Sequence, residues 1–310
     1  LLQARMQRGA GRVRLDASLV RVSDGNTIWS QRYDRPQAEL FALQDRLAAD
    51  VGAALQMPSA AAATGQAGRP PGGSLQAYDA VLKGNDLARQ KDIFSLRNAA
   101  DAYQQAVALD PRYALAQARL AQAKIELLVR FPPSAEEARA QGEQARAAAA
   151  AALALDPASA EAHRAQAAWL GSIALDQAGA LSETTRAQAL APQDATLLNA
   201  LAVQQTAVGR LQEAVENHRR ALALDPLSVL PHYNLGAVYL RLADYAEAEH
   251  VLREALELQP DISVVRAFLA IAVFQQNRTD EAIGIARSEP DPLWKTYALA
   301  MAYWAADDRA

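Results

Sequence analysis

Residues 232–260 read HYNLGAVYLRLADYAEAEHVLREALELQP, and this stretch decides the fold of the chain. Apolar side chains recur at helical spacing on both sides of a short polar break, which predicts two helices joined by a turn. Gly236 and Ala248 are small enough for the two helix backbones to approach closely, and Tyr239 and Leu252 are placed to fill the seam between them. The stretch therefore predicts a packed helix–turn–helix unit.

The same unit recurs along the chain with a period of about 34 residues. Prolines that follow helical segments stand 35, 34 and 34 residues apart, at Pro157, Pro192, Pro226 and Pro260. A second marker, a small residue, keeps this register at Ala187, Ala221 and Ala255. Proline suits the end of each unit because it lacks the N–H that a continuing helix needs. Two independent markers in one register predict a repeat architecture.

Stretch 232–260 resembles the tetratricopeptide repeat (TPR), with His232 where Trp is commonest and Leu252 where Phe is commonest. The resemblance extends over about residues 75 to 306. It implies a mainly all-α fold, a solenoid of about six helix pairs plus one helix, that binds protein segments in a concave groove and does no catalysis. Leu299, Ala300 and Tyr303 fit the first helix of a seventh repeat.

Two repeats depart from the regular length. Pro111 and Pro157 are 46 residues apart, 12 more than one period, and the extra length falls around 131–133. Either an insertion or lengthened helices would explain it, and Ser134 with Glu137 predicts a capping box at the next helix. In the first repeat we expect an enlarged turn at 91–96.

Residues 1–57 have mixed strand and helix character. The apolar residues Val13, Leu15, Ala17 and Leu19 alternate with polar ones, which predicts a half-buried strand. A turn at 23–26 and a returning strand at 27–33 complete a hairpin, and an amphipathic helix follows to about residue 55. We expect Trp29 to anchor the hairpin. A hairpin and one helix are too little to fold alone, so a preceding part of a longer protein is expected to complete a small α/β domain.

The chain thus divides into a partial α/β segment at 1–57, a flexible linker at 58–74 and a solenoid at 75–310. The linker is predicted from its small, Gly- and Pro-rich composition without periodicity.

Residues 11–55 resemble the end of a TolB amino-terminal-like domain. The resemblance is carried by several short segments in order: Arg12-Val13-Arg14-Leu15, Asp24-Gly25, Trp29, Arg32-Tyr33-Asp34-Arg35 and Phe41-Ala42-Leu43-Gln44-Asp45. It implies a bacterial signalling protein, such as a class III adenylate cyclase with a TPR tail or a CadC-type winged-helix transcriptional activator. The chain contains neither cyclase metal-binding carboxylates nor a DNA-binding helix-turn-helix motif, so any effector domain is expected to lie outside it.

Composition argues against several classes of function. A net charge of −4 and a pI near 5.7 disfavour a nucleic-acid binder, which needs a basic face. The chain has no cysteine, and its four histidines form no HExxH motif, so we expect no metal and no cofactor. No apolar run approaches the length of a membrane helix. A cytoplasmic location is favoured, and a periplasmic one is the alternative if an upstream membrane helix exists.

The repeat register also predicts which side chains face the groove. They come from the first helix of three successive repeats: Asn199, Val203, Thr206, Leu230, Tyr233, Ala237, Leu240, Arg241, Val264, Ala267, Ile271, Phe274 and Gln275. The lysine positions of the carboxylate clamp in chaperone-adaptor TPRs are apolar or neutral here. We therefore expect a hydrophobic or mixed peptide, or another domain of the same protein, and not an EEVD-type acidic tail.

Four aromatic residues cluster towards the end of the chain, Trp294, Tyr297, Tyr303 and Trp304. Packing against a further helix is the favoured interpretation, and an exposed aromatic binding patch is the alternative.

The function predicted from the sequence is a non-catalytic interaction or regulatory scaffold. The alternative is the regulatory tail of a cyclase or of a transcriptional activator.

Overall fold

The computed structural model describes residues 1–56 and 68–307, which form a small sheet with one helix and a long helical array. The first part contains β1 (Leu2–Gly9), β2 (Arg12–Val20), β3 (Thr27–Pro36), a 3₁₀ turn (Gln37–Glu39) and α1 (Leu40–Ala54).

The sheet is an antiparallel meander in the order β1-β2-β3. Leu15 of β2 pairs with Tyr33 of β3 and with Met6 of β1. The inner face of β2 is buried against Leu40 and Leu43 of α1, and Trp29 packs at the edge of this core. The predicted hairpin and helix are confirmed.

Strand β1 corrects the sequence prediction, which had no strand before residue 12. It contains no β-branched or aromatic residue, so its composition gives little strand signal. It exists because Ala10 and Gly11 both adopt positive φ and turn the chain back onto β2. Its apolar residues Leu2 and Met6 remain 47% and 51% exposed.

The array consists of six helix pairs and a final helix, which confirms the predicted fold class. The pairs are α2 (Leu75–Ala88) with α3 (Ile93–Leu109), α4 (Ala114–Arg130) with α5 (Ala135–Leu155), α6 (Ala160–Ser172) with α7 (Gln177–Leu190), α8 (Ala195–Ala207) with α9 (Leu211–Leu224), α10 (Val229–Arg241) with α11 (Tyr245–Leu258), and α12 (Val265–Gln275) with α13 (Thr279–Arg287), followed by α14 (Pro292–Asp307).

The seam of the α10–α11 pair is as tight as the sequence predicts. A Cβ placed on Gly236 would lie 2.6 Å from Cγ of Leu252. Leu252, Ala248 and Ala255 are fully buried beside it. Only glycine lets the two backbones approach this closely.

Lengthened helices explain the long second repeat. Helices α4 and α5 have 17 and 21 residues, against 13 and 14 in the regular pair α10–α11. The predicted capping box forms, since Ser134 and Glu137 exchange side-chain and backbone hydrogen bonds at the start of α5. The enlarged turn predicted at 91–96 is wrong. Helix α3 already begins at Ile93, because Asp92 caps its first turn.

The sheet and α1 are joined to the array by a set of polar and aromatic contacts. Arg69 makes two hydrogen bonds to Asp45, of 2.7 and 3.0 Å, while its guanidinium lies 5.1 Å from the ring centre of Phe41. Phe41 also meets Tyr78 of α2 edge to face. Most of the predicted linker, 58–74, lies outside the described residues. Its described part, from residue 68 onward, is held in place by these contacts, and the domain boundaries themselves stay a prediction.

Candidate functional site: the inner face of the helical array

The first helices of the pairs form the inner face of the array. Neighbouring first helices contact one another in five of six cases: α2 with α4, α4 with α6, α8 with α10, α10 with α12 and α12 with α14. Neighbouring second helices make at most marginal contact. This difference places the first helices on the concave side, as the sequence predicts.

In the middle of the groove, polar contacts tie α8 to α10. Asn234 donates a hydrogen bond of 3.1 Å to Asn199, and Arg241 donates one of 3.1 Å to the carbonyl oxygen of Thr206. Val203 and Leu230 stand beside them with 41% and 60% of their surface exposed. Ala237 and Leu240 are half-buried. This part of the predicted set is brought together, with apolar side chains that face solvent.

An aromatic ladder extends the groove from α10 to α14. Tyr233 stacks on Phe268 with ring centres 5.4 Å apart. Phe268 meets Trp294 edge to face at 5.8 Å, and Trp294 meets Tyr297 in the same way at 5.8 Å. Burial raises the pKa of Tyr233, so its hydroxyl stays neutral. The sequence placed only Tyr233 in the groove. The two α14 aromatics join it there, and Tyr297 remains 46% exposed.

Tyr303, a further residue of the C-terminal aromatic cluster, is not one of the ladder residues. Tyr303 is 47% exposed and accepts a hydrogen bond of 2.9 Å from Arg287. The side chain of Trp304 lies outside the described residues.

On α12 the predicted groove residues divide into two groups. Ala267 and Phe274 are buried, because α14 packs over them, and they offer little surface to a partner. Ile271 and Gln275 remain beside Met301 of α14, around a narrow gap. Val264 precedes the helix in a left-handed conformation, with φ of 73°.

The sequence reasoning missed a charged cluster in the N-terminal half of the groove. The carboxylate of Glu161, on α6, lies between two guanidinium groups. Arg164 donates from Nε at 3.0 Å and from Nη2 at 2.7 Å, and Arg119 of α4 donates at 3.2 Å. Gln122 accepts a further bond of 2.8 Å from Arg164. Burial by itself would raise the pKa of Glu161, but the charges of Arg164 and Arg119 outweigh it and hold that pKa below 4.5.

This cluster forms one side of a cleft of about 460 Å³. Lys91 and Arg130 stand at its other side, 2.9 and 3.6 Å from Glu126. The charged side chains that line the cleft or pair with its arginines are four cations and two carboxylates: Lys91, Arg119, Arg130, Arg164, Glu126 and Glu161. The cleft is therefore positive in a chain whose net charge is −4. The repeat register could have found it, because Arg119 and Arg164 occupy inner positions once Pro111 and Pro157 are taken as repeat ends.

Three of the four histidines, His163, His218 and His232, are buried in the helical array. His163 lies 2.6 Å from Glu183 and 3.0 Å from the carbonyl oxygen of Pro157. His218 is fully buried, and His232 lies 2.8 Å from the carbonyl oxygen of Ser228. Within residues 1–56 and 68–307, no group of three or more metal-binding side chains is suitably placed to hold an ion. Over the same residues no helix is both long and apolar enough to cross a bilayer.

Comparisons with known proteins agree with this geometry. Models of the TPR repeat and of the tetratricopeptide repeat match residues 206–242 and 229–262. A curated protein of Rhizobium meliloti (strain 1021), named "Putative adenylate cyclase 3", is 28% identical over 122 residues. That match covers 39% of this chain and only 20% of the relative.

Two solved structures share the fold. The type IV pilus biogenesis factor PilW has a TM-score of 0.60 at 14% identity, over 74% of this chain and 99% of its own. The Cut9–Hcn1 hetero-tetramer of APC/C has a TM-score of 0.53 at 16% identity, over 86% of this chain and 54% of the matched one. The helical array is a TPR solenoid, a fold that is consistent with protein–protein interaction.

Proposed function

We propose that this chain is the interaction and regulatory region of a larger bacterial signalling protein, and that it binds a protein or peptide segment in its concave groove without catalysing a reaction. The observation that carries the proposal is the aromatic ladder, Tyr233, Phe268, Trp294 and Tyr297, which crosses three successive first helices.

The ladder has the properties of a binding surface. Aromatic side chains are enriched among the residues that dominate binding energy, since they bury a large area at small entropic cost. Tyr297 is 46% exposed, and Leu230 and Val203 continue the exposed apolar surface at 60% and 41%. An extended segment with apolar side chains would cover these groups.

The wider context rests on the cyclase-named relative and on the resemblance of residues 11–55 to a TolB amino-terminal-like domain. The cyclase-named relative favours one arrangement, in which this chain is a TPR tail attached to a class III adenylate cyclase. In that arrangement the groove would receive a partner and the catalytic carboxylates would lie elsewhere in the protein. An assay of the 310 residues for nucleotide cyclase activity should show no turnover, and measurable cyclic nucleotide would refute the non-catalytic assignment.

Binding in the groove can be tested with a matched pair of variants. Peptides selected from a phage-displayed random library on the chain would be measured against Tyr233→Ala and against Phe94→Ala. Phe94 is 73% exposed but lies on α3, a second helix away from the groove. Tyr233→Ala should weaken binding by about tenfold or more, as expected when an interface aromatic is truncated. Equal effects of the two variants, or none from Tyr233→Ala, would place the binding surface elsewhere.

A further inference from the structure

We infer that the positive cleft between α2, α4 and α6 is a subsite for the side-chain carboxylates of an extended acidic peptide segment. This inference rests on the proposed function and adds a chemical class of ligand. It differs from the sequence expectation of a hydrophobic or mixed ligand without an acidic tail, because it concerns acidic side chains within a segment and a different part of the groove.

Glu161, which lines the neighbouring cleft, shows that Arg119 and Arg164 can bind a carboxylate. Its two oxygens accept hydrogen bonds from both Arg119 and Arg164, at 2.7 to 3.2 Å. One carboxylate cannot neutralise two guanidinium groups, so one positive charge is left over. The same imbalance recurs across the cleft, where Lys91 and Arg130 share Glu126.

The surplus charge is partly shielded from solvent. The side chains of Arg119 and Arg164 are 29% and 25% exposed. Charge-assisted hydrogen bonds to such groups are stronger and less screened by salt than those on an open surface. A carboxylate that enters the cleft would therefore gain more from these cations than from exposed arginines.

The shape of the groove favours a passing segment over a chain end. Arg119 lines the 460 Å³ cleft and also a neighbouring one of about 720 Å³, next to Tyr113 and Leu155. Because the two clefts share Arg119, open space lies on both sides of this side chain. The occupant that fits is an internal acidic segment of a protein.

The probe is a fluorescent peptide with both ends blocked, in which a run of glutamates adjoins a Leu-Tyr-Leu segment, synthesised in both orders. Its control has glutamines in place of the glutamates. At low salt the glutamate peptide should bind about tenfold more tightly than the glutamine peptide, and this advantage should shrink as salt is added. Equal affinities, or no binding by the glutamate peptide in either order, would overturn the inference.

Substitutions show which side chains cause the tighter binding of the glutamate peptide. Arg119→Gln and Arg164→Gln should each remove most of the glutamate advantage, whereas Arg139→Gln, on an exposed position of α5, should keep it. If an arginine variant fails to fold, Lys91→Gln replaces it, because that side chain is 50% exposed on the rim and its loss should still reduce the advantage. If folded variants of these cations still bind the glutamate peptide about tenfold more tightly than the glutamine peptide, the inference is overturned.

Two further peptides test which chemical group supplies the negative charge. One carries a free carboxyl terminus in place of glutamates, and the other carries phosphoserine. Tighter binding of either one than of the glutamate peptide would overturn the assignment to side-chain carboxylates.

The Tyr233→Ala variant separates this inference from the proposed function. If it weakens both the glutamate and the glutamine peptides while their affinities are equal, groove binding stands and the acidic subsite fails. If neither peptide binds the native chain, the acidic subsite fails, and the proposed function is decided separately by the peptides selected from the random library.

Discussion

One buried side chain, His218 of α9, should make its own contribution to the loss of stability on acidification. This histidine is 0% exposed, and neither ring nitrogen has a hydrogen-bond partner among the described residues. Burial lowers its pKa from 6.5 to about 4. As the pH falls, the unfolded chain therefore takes up the proton first. The stability that neutral His218 contributes is fully present above pH 6.5 and is lost progressively as the pH falls to about 4.

The size of the effect follows from this interval. At 1.36 kcal/mol for each pH unit, the protonation of His218 costs the folded state about 3 kcal/mol once the pH is below 4. Replacement by leucine removes the cost, and it also removes two unsatisfied polar atoms from the core. His218 stands one period before Leu252, so leucine suits the position. His218→Leu should therefore already stabilise the protein at pH 7, by about 1 kcal/mol or more.

Urea unfolding between pH 7 and pH 4, followed by circular dichroism, measures this difference. Other titrating groups are common to the native chain and the variant, so the comparison isolates His218. His250→Gln serves as the control, because that side chain is 67% exposed, and it should follow the native pH dependence. If native protein and His218→Leu lose stability in parallel over this range, the buried neutral histidine is refuted.

Three other substitutions test the fold. Gly236→Ala should cost about 1 to 3 kcal/mol, because its Cβ would lie 2.6 Å from Leu252, while Gly284→Ala, with no atom within 4 Å, should cost nothing in the same unfolding assay. Ser134→Ala should cost about 1 kcal/mol and speed amide exchange at the start of α5, whereas Ser228→Ala should not, since Ser228 makes no side-chain cap. Arg69→Ala should cost about 1 to 3 kcal/mol and speed exchange in α1 without affecting α11; unchanged exchange in α1 would show that the Arg69–Asp45 pair does not hold the sheet.

The repeat architecture could be predicted because its signal is redundant. Gly236, Ala248 and Leu252 each fit one seam, and the prolines repeat the register. Strand β1 could not be predicted with the same ease, since its residues have low strand propensity and its existence depends on pairing with β2. The contacts of Arg69 join it to Phe41 and Asp45, which lie far from it in sequence, so no local pattern reports them.

In the groove, too, positions within one repeat could be predicted, whereas contacts between repeats could not. Tyr233 was predicted from its position within one repeat, whereas its stacking on Phe268 requires the relative placement of two repeats. Phe274 was placed in the groove by register, but α14 packs over it, and single-repeat reasoning does not include such a neighbour. The pair Arg119 and Arg164 was missed because the predicted groove residues come only from repeats after Pro192, and both arginines precede it.

The most direct test of a binding groove is photo-cross-linking from within it. A photoreactive p-benzoylphenylalanine would replace Tyr297, at the exposed end of the aromatic ladder, or Phe94, which is exposed on α3. Both exchanges put one aromatic residue in place of another, so the two proteins differ only in where the probe lies. With a peptide selected on the native chain, cross-linking is predicted from position 297 and not from position 94. Equal cross-linking from both positions, or cross-linking from position 94 alone, would contradict binding in the concave groove.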